Sequence, residues 1–215
     1  ETSDLKVPEG ELNFSLNMFN IADGVSPLSP ALINFGVDVD PSFLSGWGAQ
    51  EETTLTGAPI ALVHVGSGER IPILTEMDQA NREWSQFKTR HPLIIRPLAP
   101  MTFGERYMVV LSNELRDLNG AELPRSEAFD LLQSETLTDN PTLEGMRPRY
   151  EELFSTAASA GWEREDILLM WDFQIASEAF ILDPVRTVRD HVLSQDPDTF
   201  EFTIEEQSED PNAHL

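Results

Sequence analysis

The sequence predicts a mainly β fold: an Ig-like antiparallel β-sandwich with an inserted helix and a C-terminal helical extension. Three observations carry that expectation. Leu93-Ile94-Ile95 and Tyr107-Met108-Val109-Val110-Leu111 are short runs rich in β-branched residues, and Pro97, Pro100 and Gly104 between them supply fixed and permissive backbone positions. Ile60 to Val65, Gly66-Ser67-Gly68 and Arg70 to Leu74 read as a hairpin, with glycines where a turn needs positive φ. Turn signals recur at roughly 8–12 residue spacing, which is the rhythm of a sandwich.

Taken in order, the first dozen residues are polar, contain Pro8 and Gly10, and predict an extended lead-in. Phe14 to Ile21 suits a strand, Ala22-Asp23-Gly24 turns it, and Ala31 to Val37 follows as a second strand after a loop bracketed by Pro27 and Pro30. Asp40 to Gly57 carries Pro41, Gly46 and Gly48 and predicts loop, with Phe43, Leu44 and Trp47 folded back over a core edge. Pro72 marks the hairpin's return strand as a sheet edge. Residues 77–91, with Trp84 and Phe87 at i, i+3, fit either a loop or one helical turn.

Beyond Gly120 the period changes. Tyr150, Leu153, Phe154, Ala157 and Ala158 form the stripe of an amphipathic helix, expected at about 146–160 with Pro148 in its first turn. Gly161 reads as its left-handed cap and Trp162 as the apolar contact just beyond. Ile167 to Ile175 returns as a strand. Asp183-Pro184 reads as the cap and first position of a second helix striped by Val185, Val188 and Val192 and ending near Gln195. Phe200 to Ile204 alternates as a strand, and Glu205 to Asp210 is an acidic exit. The organisation is therefore a lead-in at 1–12, a sandwich at 13–177 with its helical insertion, and a helix plus strand at 178–215 leading toward a following region.

A chain of 215 residues can bury a full core. Thirty-eight acidic residues against fourteen basic ones give a formal charge of −24, which repels phosphate backbones and anionic lipids and makes nucleic acid an unsuitable partner. Lys6 and Lys88 are the only lysines, and an acidic, lysine-poor surface suits salty or extracellular conditions. Cysteine is absent, which excludes disulfides, thiolate metal sites and cysteine nucleophiles. No apolar run approaches the roughly 20 residues of a membrane-spanning helix, and residues 1–4 lack the character of a signal peptide, so export implies prior removal of one.

Candidates for chemistry are few. Gly66-Ser67-Gly68 lacks the outer glycines of a nucleophile elbow, because Val65 and Glu69 stand there, and reads as a hairpin turn. His64, His91, His191 and His214 share no metal-binding spacing. Asp38 and Asp40, and Asp117 and Asn119, are calcium candidates, yet each group falls short of the six to eight oxygens required, and Asn119-Gly120 reads first as a type I′ or bulged turn. Asp172, between Trp171 and Phe173, is expected to face away from the core, solvated or paired with an arginine. No catalytic or cofactor-binding set emerges.

Arg96-Pro97-Leu98-Ala99-Pro100, Tyr107 to Leu111 and Leu115 to Gly120 form one recognisable pattern, and Tyr150 to Phe154 through Gly161 to Trp171–Ser177 forms another. With Ala22 to Pro27, and Arg70-Ile71-Pro72 followed by Glu76 and Asp78, the likeness spans most of residues 19–177. In these motifs the sequence resembles the N-terminal region of large exported bacterial lipase-like proteins of the α/β-hydrolase type. The resemblance implies an extracellular or periplasmic accessory module whose hydrolase core lies outside residues 1–215, and no catalytic residue carries over. The competing expectation is a stand-alone surface or adhesion protein, with calcium as a stabilising ion.

Overall fold

The structure is a computed structural model that describes residues 22–78, 91–134 and 136–196. The expected lead-in, the strand at Phe14–Ile21, the segment holding Trp84 and Phe87, the strand at Phe200–Ile204 and His214 lie outside the described residues.

Apolar runs become strands where turn residues bound them. β1 (Ala31–Ile33), β2 (Ile60–His64), β3 (Arg70–Ile71), β4 (Ile73–Met77), β5 (Leu93–Pro97), β6 (Arg106–Ser112) and β7 (Ile167–Gln174) form two antiparallel sheets, ordered β1-β5-β4 and β3-β2-β6-β7. The central strands β2 and β6 are almost wholly buried, as continuous apolar runs covered on both faces should be. Pro72 decides the connectivity. Leu62 pairs with Ile71 and Val63 with Arg70, but proline has no N–H for the next ladder bond, so the return strand divides and β4 joins the other sheet. The expected hairpin is thus real for two residues and then crosses over. β5 and β6 likewise sit in different sheets, with Gly104 at a φ of 74° in the crossover.

Alternation sorts the side chains into two clusters. Leu62 and Val109 of one sheet share a core with Ile73, Leu93 and Ile95 of the other. On the opposite face of the four-stranded sheet, Ala61, Val63, Met108, Val110 and Met170 pack under helices. Each fully buried side chain of this size stabilises by about 1.5–3 kcal/mol.

Three helices accompany the sheets: α1 (Glu127–Gln133), α2 (Pro141–Ser159) and α3 (Glu178–Leu193). The content is mixed sheet and helix, where the sequence suggested mainly β. α1 was not expected; Ser126 caps it by accepting the Phe129 N–H, and Phe129 and Leu132 are buried. α2 starts five residues earlier than anticipated, because Asn140 Oδ1 accepts from Thr142 and Leu143 and Pro141 takes the first position. Pro148 consequently lies inside the helix rather than in its first turn. The expected cap is present: Gly161 has φ 89°, its N–H donates to Ala158, and Trp162 N–H donates to Ala157. α3 also begins early. Ser177, not Asp183, supplies the cap to Phe180 N–H, which leaves Pro184 in the interior.

Candidate functional site

Ser67 and His64 come together across the β2–β3 turn, three residues apart. Ser67 Oγ lies 2.8 Å from His64 Nδ1, and His64 Nε2 lies 3.4 Å from Glu105 Oε2. Serine, imidazole and carboxylate therefore stand in the order of a nucleophile, its base and an orienting group. Ser67 stands in the β2–β3 turn, as the hairpin reading of Gly66-Ser67-Gly68 expects, and His64 stands beside it. The signal for that contact was the i, i+3 spacing of His64 and Ser67 around Gly66.

The surroundings limit what this trio can do. His64 Nδ1 also accepts the Ser67 backbone N–H at 3.0 Å, and Ser67 Oγ accepts the Glu69 N–H at 3.2 Å. Gly68 N–H donates to the His64 carbonyl. Acyl transfer needs N–H donors aimed at a developing oxyanion, and these three donors of the turn already point inward. Tyr107 packs edge-on against the His64 ring at 5.0 Å. The arrangement fixes the hairpin, with His64 Nδ1 shared between the hydroxyl and the backbone N–H of Ser67.

A bridge between Val39 and Asp117 sets the two segments that carry the proposed oxygen donors side by side. Asp40 N–H donates to the Arg116 carbonyl. Each side chain has local work. Asp38 Oδ1 meets His91 Nδ1 at 2.8 Å, tying the bridge to the start of β5. Asp40 accepts the Ser42 N–H, which draws its pKa below the ordinary value. Asp117 accepts N–H groups from Ala121 and Asn119, and these lower its pKa likewise. Gly120 alone has positive φ here, 76°, so the turn is the bulged alternative rather than type I′. Among the described residues no group of three or more His, Asp or Glu side chains gathers as a metal cluster.

Asp172 faces away from the inter-sheet core, as alternation requires, but α2 covers that face. Its side chain is only 5 % exposed, and two arginines hold it: Arg106 Nε at 2.9 Å and Arg149 Nε at 2.7 Å. The expected arginine pairing is present, without the solvation. Arg106 also reaches Glu152 on α2 at 2.9 Å, so the network fastens the helix to β6 and β7. His191 lies on exposed α3.

Trp47 was expected to cover a core edge; Phe43 and Leu44 do so, but Trp47 stands 82 % exposed between Gly46 and Gly48. On α3, Val185, Val188, Val192 and Leu193 are exposed and no residue of the helix is buried. No helix among the described residues is long and apolar enough to cross a membrane. No protein-family model matches the chain, and no curated protein is similar to it in sequence.

Proposed function

We propose that this chain is a non-catalytic accessory module of an exported bacterial esterase- or lipase-like protein, docking on a hydrolase part outside residues 1–215. The observation that carries the reading is the open apolar stripe of α3, where Val185 and Val188 are 68 % and 64 % exposed. A helix striped in this way gains stability only by covering the stripe, so a surface elsewhere is its natural complement. Two sheets sharing one core fit an Ig-like sandwich, the architecture of the lipase-like N-terminal region that the sequence resembles, and α1 and α2 are additions to it. The acidic surface suits a salty exterior, where screening relieves self-repulsion.

Two measurements test the proposal. Ester hydrolysis by the purified chain is expected to lack saturable turnover; saturable turnover abolished by Ser67→Ala would make the Ser67–His64–Glu105 trio an active site and end the accessory reading. The native mass of the protein isolated from the cells that make it is expected to include a hydrolase part, covalent or associated. A lone 24.1 kDa species would contradict it.

A further inference from the structure

A groove beside the Val39–Asp117 bridge encloses about 300 Å³ and is walled chiefly by Val39, Leu44, Met77 and Leu118, with Asp38 and Glu76 among its lining. That volume is at the small end of ligand sites and admits about one large side chain. Its mouth is open and carries both apolar and acidic residues. Trp47, next to the lining residue Gly46, projects into solvent, and Leu118 is 58 % exposed. Exposed tryptophan beside a pocket is the usual anchor of a protein interface. The edge of β4 at the groove is closed to strand addition, because Thr75 N–H already donates to the Ser45 carbonyl at 3.2 Å. Capture must therefore act through side chains.

The charge around the groove selects the occupant. Asp38 and Glu76 line it, Asp40 and Asp117 each adjoin a lining residue, and the whole chain carries −24. Arg96 is paired with Glu76, and Asp38, which meets His91 Nδ1, adds negative charge with Asp40 and Asp117 beside that pair. The field therefore favours a positively charged visitor and opposes an anionic one. We propose that this groove is the docking site for a short polypeptide segment of a partner that bears a bulky apolar side chain beside lysine or arginine. The apolar group fills the cavity against Leu44 and Met77 and packs under Trp47, and the cation lies over the acidic rim. This site is separate from the α3 stripe and stands without it.

The test uses three capped hexapeptides titrated calorimetrically into the full chain: alternating Leu and Lys, alternating Leu and Glu, and alternating Ser and Lys. The Leu/Lys peptide is expected to bind saturably, at least about tenfold tighter than either control, and to weaken as salt rises from about 0.05 M to about 0.5 M. Leu118→Asp or Trp47→Ser should each reduce that affinity by about tenfold or more. Both side chains are exposed, so the melting temperature should hold and separate loss of docking from loss of fold. Charged substitutions at Val185 and Val188 should leave peptide binding unchanged, which distinguishes this site from the α3 face. The proposal is overturned if no peptide saturates, if the Leu/Glu peptide binds equally well, if Leu118→Asp has no effect, or if phosphatidylcholine vesicles bind through Trp47 while the peptides do not.

Discussion

α2 and α3 are two amphipathic helices of similar length, each with an asparagine or serine cap and an interior proline, and their fates differ. α2 buries Leu153, Phe154 and Ala157 on the four-stranded sheet, is closed by the Gly161 turn and is fastened through Arg149 to Asp172. α3 buries nothing. An apolar stripe records that a face needs covering; it does not record what covers it. For α2 the cover is the chain's own sheet. For α3 the cover is the proposed partner.

If this contrast is sound, core damage must concentrate on α2. Leu153→Ala removes a fully buried side chain and should destabilise by about 3 kcal/mol in urea unfolding. A loss under about 1 kcal/mol would mean that α2 is not seated as described. Asp172→Ala should cost about 2 kcal/mol, less than a wholly buried ion pair, because Arg106 and Arg149 keep access to water. Gly161→Ala combines a left-handed backbone with a Cβ 2.7 Å from Thr56 Cγ2, and about 1–2 kcal/mol is expected in the same assay.

Acid should sharpen the comparison at the start of α2. Glu144 accepts hydrogen bonds from Arg147 and from Thr138, and these hold its pKa down at about 2 against an ordinary 4.5. A folded-state pKa below the unfolded one means that this contribution is complete above about 4.5 and is lost as pH falls toward 2. Glu144→Gln should flatten that part of the stability profile; an unchanged acid limb would place the sensitivity elsewhere.

The strands were legible because β-branched runs bounded by proline and glycine leave few other conformations, and Pro72 even marked the edge at which the chain changes sheets. Helix starts were harder to see. Asn140-Pro141 and Ser177 are local capping signals, yet the apolar stripes begin one or two turns later, so Pro148 and Pro184 read as first-turn prolines in the sequence and lie inside the helices in the structure. α1 escaped because Phe129 and Leu132 form only two points of a stripe. Trp47 was misplaced because composition says that tryptophan seeks cover, whereas Gly46 and Gly48 let the backbone carry it outward. The contact of Ser67 with His64 had only their i, i+3 spacing as a signal, because it depends on the imidazole ring turning back onto the hairpin. Val39 and Asp117 meet through a long-range bridge, which no local pattern encodes.

The most direct measurement is the thermal midpoint of the purified chain carrying Val185→Asp, Val188→Asp and Val192→Asp together. With the stripe uncovered, the midpoint should match the parent within about 2 °C. A fall of more than about 5 °C would mean that these valines are packed within the chain itself, and α3 would then be no docking face.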